Sequence, residues 1–454
     1  MRSRQDRPWS PSSTTSLGLL RGGSPYPPRE GAGLHCAAAA ESRRAKAQVA
    51  AEAAWAAGCA ASAHERGRLK KLGIIVEMYG ARHLGSLYCH ASIGRVIDRL
   101  ATRAEQAVLC LPVQDAAPDA TRDYRLQAAN VRLVPQPFYR SSFQALWHLA
   151  GIAGAYGRTC RAAEHIFVRG MLPFVGVFYL LAWMCGCRVC HWIVGDPVGS
   201  LRSHRRAGWL KDHLFLLYAW QERLLARLGR RLTGGAFVCN GEALASIYRS
   251  PRTVAAVSST LTEEEFFVRA DTCQSPAVRI LFVGFIRPEK GLEYLIEAVA
   301  LLPAGRPWEL VLVGPRDQYP DYVAGLDGIA RRLGVGHRIR WTGYVPYGPQ
   351  MFRWLHESDV LVLPSVSEGT PRILLEARAN SLPVVATRVG GVPTSVTDGA
   401  DGLLVPPKDP AALARAVGRI IEDGRLRQSL IASGLQTARH MTLDRFVEAV
   451  VQQL

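Results

Sequence analysis

Short apolar runs recur along this chain, each followed by a loop and then by residues at helical spacing. They fall at 72–77, 107–111, 131–135, 165–168, 188–194 and 236–238, and again at 279–283, 309–313, 339–342, 360–364, 383–387 and 403–405. Most are apolar at all but one or two positions and rich in Val, Ile and Leu, which predicts strands buried on both faces. Helical segments between such strands predict parallel crossover units, so the fold class is α/β. A polar stretch at 271–276 separates the two series and places a domain boundary near 262–276.

The predicted organisation has four parts: an extension at 1–71, a first domain at 72–268, a second at 269–436, and an amphipathic helix in 437–454. The first domain opens on the strand 72–77, a loop containing Gly80 and Gly85, and a helical pattern over 87–100. That order is the opening of a Rossmann-like domain. The two glycines are five apart and do not spell the dinucleotide fingerprint. They form either a loop where backbone approaches a ligand or a tight turn.

The second domain carries the clearest chemistry. A strand at 359–364 runs into Glu368-Gly369-Thr370-Pro371-Arg372-Ile373-Leu374-Leu375-Glu376, and the next strand begins at Pro383. Thr370 is expected to cap a helix whose first turn holds Pro371, where a missing N–H costs nothing. Amides around Gly369 and Thr370 would then meet an anion with the positive end of the helix dipole behind them. Ligands in such sheets bind at the carboxyl ends of the strands, where these residues lie.

Composition narrows the partners. The chain has 454 residues, 48% hydrophobic, with a formal net charge of +17. Residues 1–71 hold 12 Lys or Arg against 5 acids, so much of the excess sits in the extension. With no zinc-finger spacing and no aromatic RNA-binding signature, nucleic acid is not an expected partner. The extension is Arg-, Ser-, Pro- and Gly-rich before an Ala-rich run, which reads either as a disordered or non-native extension or as an Arg- and Ser-rich targeting segment. It shows no secretory signal pattern, and ten Cys without one fit a reducing cytosol.

Two further segments admit more than one reading. Cys187-Arg-Val-Cys190-His191 has the spacing of a c-type haem attachment, yet it lies in an apolar run expected to be a buried strand. Cys185, Cys187 and Cys190 lack a fourth zinc ligand at convincing spacing. Residues 171–187 are too short and too interrupted to span a bilayer, which favours a core helix. Residues 202–232 mix eight Lys or Arg and two acids with Trp209, Leu217, Trp220 and other apolar side chains. That stretch is either a helix on an anionic membrane surface or a domain helix with one solvated face.

The ordered series of Gly284 to Gly291, Gly314, Gly343, the Glu368/Glu376 pair, Gly390-Gly391 and 402–406 resembles the retaining glycosyltransferases of family 4. The similarity covers about 279–435. It implies the GT-B fold, two Rossmann-like domains facing across a cleft, with the last helix crossing back to the first domain. It implies a nucleotide-sugar donor and a glycan or lipid-linked acceptor, in polysaccharide or related biosynthesis at the cytosolic membrane face. Glu376 would hold the ribose hydroxyls and Glu368 the donor sugar or reacting face, with Gly369, Thr370 and Pro371 wrapping sugar and phosphate.

In the Gly284-Phe-Ile-Arg-Pro-Glu-Lys290-Gly291 loop, Lys290 matches the family lysine that offsets charge on the leaving diphosphate. The family arginine position holds Phe285; Arg287, two residues later, either reaches the same phosphate or is a solvated turn residue. Main chain near Val345 would hold the base. Many relatives carry a His at the end of the strand read here at 188–194; Asp196 is the polar group nearest that place, holding a sugar hydroxyl or capping a turn. No two Asp are separated by one residue, so the metal motif of the other large glycosyltransferase fold is missing. Neither a metal nor another cofactor is expected. A sugar-nucleotide epimerase of the same fold and a non-catalytic partner subunit are the alternatives.

Overall fold

The computed structural model describes residues 68–119, 121–139, 142–195, 209–303 and 305–454. The described residues, within 68–454, fall in one compact unit. Its first sheet contains β1 (Leu69–Val76), β2 (Gly80–His83), β3 (Ser86–Cys89), β4 (Ala104–Asp115) and β5 (Tyr124–Arg125). It continues through β6 (Val131–Gln136), β7 (His165–Arg169), β8 (Arg188–Ile193), β9 (Ala236–Asn240) and β10 (Thr253–Ala256). The parallel strands run in the order β6-β4-β1-β7-β8-β9-β10. The second sheet holds β11 (Val278–Val283), β12 (Trp308–Val313), β13 (Ile339–Gly343), β14 (Val360–Leu363), β15 (Val384–Thr387) and β16 (Leu403–Val405). All its pairings are parallel, in the order β13-β12-β11-β14-β15-β16.

Both sheets thus reverse direction beside their first strand, the arrangement that opens a crevice at the carboxyl ends of the two central strands. In the first sheet the crevice lies between β1 and β7, in the second between β11 and β14. Strand burial explains the apolar runs: every residue of β9, β14, β15 and β16 is buried. On β1, Leu72, Ile74 and Val76 enter one core and Ile75 the other, because successive side chains leave opposite faces.

The chain returns to the first domain after building the second. Leu443, Phe446, Val447 and Val450 of the helix Leu443–Val451 pack into the core that contains Leu72 and Ile74. Phe446 lies 4.7 Å from the Trp192 ring, and Asp444 is ion-paired with Arg99. These contacts bury a face whose apolar residues repeat at helical spacing.

One expectation is corrected. The segment holding Gly80 and Gly85 is not a loop leading straight to a helix but the hairpin β2–β3, turned by Leu84 (φ 47) and Gly85 (φ 74). The helix therefore begins at Ala91 instead of near Leu87, capped by His90. Pairing of β3 with β5 holds this hairpin as an extension of the sheet, and short, half-buried strands of this kind lack a strong hydrophobic period.

Candidate functional site

The second sheet's crevice is built from two loops drawn together. The β11 loop turns through Pro288–Lys290 and the β14 loop through Ser365 to Glu368. Amides of Val366 and Ser367 donate to the Glu289 carbonyl at 2.9 and 3.4 Å, tying one loop to the other. Lys290 is thereby set on Glu368: its Nζ ion-pairs with Oε1, and Ser365 Oγ donates to the same oxygen at 2.7 Å. The two side chains are 11% and 9% exposed, so the pair is largely shielded from water yet open at one edge. A desolvated cation here interacts more strongly with charge than it would on the surface.

Backbone approaches shape the floor. A Cβ on Gly314 would lie 1.9 Å from the Gly284 carbonyl oxygen, and one on Gly390 would lie 1.8 Å from that of Glu368. Gly391 N–H donates to the Gly369 carbonyl at 2.8 Å. The β15 loop therefore presses directly on Glu368-Gly369 and fixes where the carboxylate sits.

The helix Arg372–Ala379 starts one residue later than the sequence suggests. Pro371 takes the capping position and makes no side-chain cap. Thr370 consequently lies one residue too early to cap, and its Oγ1 faces the Asn240 carbonyl at 3.4 Å. That contact joins the Glu368 loop to the end of β9 in the first domain. Glu376 is buried, and burial raises its carboxyl above the ordinary range while Arg372 opposes the shift. Glu265 and Arg95 lie close enough to act on it too. Arg95 pairs with Glu265 at 2.7 Å and lies over the Tyr347 ring.

Other expected residues are placed as follows. Arg287 is 38% exposed, lies over Phe285 and is 4.0 Å from Glu289. Val345 is half-buried against the second core, beside the exposed Tyr344. Asp196 lies outside the described residues. His191 is buried, and its ring nitrogens meet Tyr179 Oη at 2.9 Å and the Gly170 carbonyl at 2.7 Å. Burial pushes it down to about 4. Cys187 and Cys190 are buried free thiols and Cys185 an exposed one. Among the described residues no three His, Cys, Asp or Glu are grouped to hold a metal.

Sequence reading missed a second cluster, at the crevice of the first sheet. Glu77 follows β1 and Arg169 ends β7; they form an ion pair, with Arg169 stacked 5.1 Å over Trp192. His90, at the start of Ala91–Ala101, feels both Arg169 and Arg372 of the opposite domain. Strand and helix ends far apart in sequence supply this cluster, so only the topology brings it together.

Residues 277–423 match the family described as glycosyl transferases group 1. The carboxyl-terminal domain is a group 1 glycosyltransferase domain. Over 182 residues the chain is 34% identical to the D-inositol 3-phosphate glycosyltransferase of Thermomonospora curvata, covering 39% of this chain and 42% of that protein. Over 180 residues it is 40% identical to the Streptomyces scabiei protein of the same name, covering 38% and 40%. The chain thus matches about two fifths of the length of these relatives. The Anabaena Alr3699/HepE structure in complex with UDP superposes with a TM-score of 0.63 at 16% identity, covering 85% of this chain and 99% of that one. The apo lipopolysaccharide outer core galactosyltransferase WaaB gives 0.58 at 14% identity, covering 85% and 100%. The two domains together therefore have the GT-B fold, and the group 1 glycosyltransferase domain supplies its second half.

Proposed function

We propose that the chain is a retaining glycosyltransferase that moves a sugar from a nucleoside diphosphate to an acceptor hydroxyl between its two domains. The observation that carries this reading is Lys290 held against Glu368 at the crevice of the group 1 domain. When the bond from the sugar to the diphosphate breaks, negative charge grows on the departing phosphate oxygens. Lys290 offsets that charge, and the amides of Arg372 and Ile373, which precede the first intrahelical bond from the Leu374 amide to the Pro371 carbonyl at 3.3 Å, add donors to the same charge. Arg287 is a second cation for the diphosphate, and Glu376 holds the ribose. Glu368 holds the donor sugar. Structural neighbours bound to UDP and to UDP-glucose support a UDP-sugar as donor. With Lys290 and helix-start amides in this role, transfer runs without a divalent ion.

The acceptor is a lipid-linked glycan or cell-surface polysaccharide, reached at the cytosolic membrane face. Support comes from the helix Trp209–Leu232, whose exposed face is apolar: Leu217, Trp220, Leu224, Leu228 and Leu232 recur along it. Ala219, Glu222 and Ala226 fill its buried face. Val177, Leu180, Trp183 and Met184 extend the exposed patch on the neighbouring helix Val175–Met184. Arg227 and Arg231 are interleaved with the stripe. An exposed apolar stripe flanked by arginines suits an anionic bilayer surface. Among the described residues no helix is long and apolar enough to cross a membrane.

Incubation with radiolabelled nucleotide sugars and membrane extract, with and without EDTA, tests the reading. Label transferred to a glycan or lipid fraction in EDTA supports it, and strict metal dependence removes the mechanism. Donor converted to another nucleotide sugar without acceptor indicates an epimerase. No turnover across the panel indicates a binding subunit.

A further inference from the structure

The two oxygens of Glu368 have different surroundings. Lys290 Nζ and Ser365 Oγ both donate to Oε1, and among the described residues no hydrogen bond reaches Oε2. A carboxylate oxygen has two lone pairs, so two donors fill Oε1 and leave Oε2 for a ligand. The carboxylate is thus anchored through one oxygen and available through the other.

The two donors are held differently. Lys290 carries its charge on a flexible stem, and a diphosphate in this crevice competes for it. Ser365 is fully buried, on a short side chain two residues past the end of β14. Its carbonyl accepts a hydrogen bond from Thr387 Oγ1, at the end of β15, and Thr387 is fully buried as well. The last backbone pair between β14 and β15 joins Leu363 to Ala386, so the Thr387 hydroxyl carries the pairing past the point where the ladder stops. Beyond it, Gly391 N–H holds the Gly369 carbonyl at 2.8 Å. The exit of β15 therefore fixes the Glu368 loop on both sides of the carboxylate. A serine close to a carboxylate in sequence is commonly a turn residue satisfying its neighbour. A solvated turn of that kind needs no second buried hydroxyl to hold its backbone.

We propose that Ser365, held by Thr387, is the positioning residue of Glu368. It keeps Oε1 anchored when Lys290 turns to the diphosphate, so Oε2 stays aimed at a hydroxyl of the donor sugar. The assignment rests on the glycosyltransferase reading and deepens it. Neither hydroxyl serves the nucleotide; both act through the carboxylate.

Titration calorimetry of the full chain with UDP, and with whichever of UDP-glucose and UDP-galactose binds more tightly, tests this. Ser365→Ala is expected to keep UDP affinity within about twofold of wild type and to weaken the UDP-sugar about tenfold or more, the weight of one hydrogen bond to a charged group. In a Glu368→Ala background the same substitution changes either affinity by less than about twofold, because no carboxylate is left to aim. Thr387→Val weakens the UDP-sugar in the same direction, and Thr387→Ser, which keeps the hydroxyl, restores it. Equal weakening of UDP and UDP-sugar by Ser365→Ala, no weakening of either, or a full additional loss in the Glu368→Ala background overturns the proposal. So does a Thr387→Ser protein that behaves as Thr387→Val, or a wild-type protein that binds UDP but neither UDP-sugar. Absence of all binding by the wild-type protein would instead overturn the glycosyltransferase reading.

Discussion

Lys290 and Glu368, separated by 78 residues, are ion-paired across the crevice between β11 and β14. The pair orients two groups with one contact. Lys290 is kept from solvent, and Glu368 is held by Lys290 on one side and Ser365 on the other. Lys290→Ala is expected to lower kcat about 10²–10³-fold, the range seen when one charge-stabilising donor is lost. Glu368→Gln keeps the shape of the site and is expected to lose turnover while UDP still binds. Donor turnover assays beside UDP titrations separate the two effects; a Glu368→Gln enzyme at wild-type rate would remove Glu368 from the reaction.

Gly390 sets the height of the Glu368 backbone. Its φ of 52, and the 1.8 Å that would separate a Cβ at this position from the Glu368 carbonyl oxygen, leave no accommodation without moving the loop. Gly390→Ala is expected to weaken UDP-sugar binding about tenfold or more, since a shift of about 1 Å at a positioning residue carries costs of that order. Circular dichroism should still report a folded chain. Unchanged donor affinity would mean that the β15 loop does not position the carboxylate.

Much of this was legible in the sequence. Strands β14, β15 and β16 of the second sheet are buried at every residue, so their apolar runs have almost no polar interruptions, whereas the outermost β13 is only half-buried; the Glu368/Glu376 spacing lay between β14 and β15. The hairpin β2–β3 was not legible, because Gly80 to Cys89 mixes buried and half-buried positions over two four-residue strands. The Thr370 cap failed by one residue: Pro371, with φ −75 and ψ 114, is itself suited to the capping position. Glu77, His90, Arg169 and Arg372 carry no motif. Their significance comes from strand order and domain contact, which a linear pattern does not encode.

Arg378 and Asp401 make a buried ion pair in the group 1 domain, 1% and 6% exposed. Asp401 also accepts the Thr397 amide at 2.7 Å, so the pair anchors the turn before β16. Asp401→Ala strands the guanidinium in the interior and is expected to cost about 3–5 kcal/mol of stability. Replacing both partners, Arg378→Met with Asp401→Leu, should recover much of that loss. Urea denaturation of the two variants checks it. Equal destabilisation by the single and double variants would show that the lost backbone bond, and not the stranded charge, dominates.

Glu222 supplies a pH dependence. It is buried beneath the helix Trp209–Leu232, accepts a hydrogen bond from the Val175 backbone, and is pushed up to about 8 by burial. Its folded value lies above its unfolded one, so the folded state holds the proton more tightly. The stability this contributes is fully present below about pH 4.5 and is lost as pH rises through about 8. Glu222→Gln should flatten this part of the profile and melt higher than wild type at pH 9. Thermal melts of both proteins between pH 5 and 9 decide it, and parallel profiles would place the titration elsewhere.

The face above Glu222 governs the last prediction. Trp220 and Leu217 are 61% and 63% exposed in the middle of the apolar stripe, so neither contributes much to the core. Leu217→Asp with Trp220→Asp should therefore leave thermal stability nearly unchanged. Two charged side chains cannot enter the headgroup boundary as the apolar ones do, and they also repel anionic lipid. Sedimentation with phosphatidylglycerol vesicles is expected to fall about tenfold or more, since each large apolar side chain buried contributes roughly 1.5–3 kcal/mol. Binding by the unsubstituted protein should weaken with salt, because Arg227 and Arg231 flank the stripe. Full vesicle binding by the double variant would assign membrane contact to another surface and leave this stripe to a protein partner.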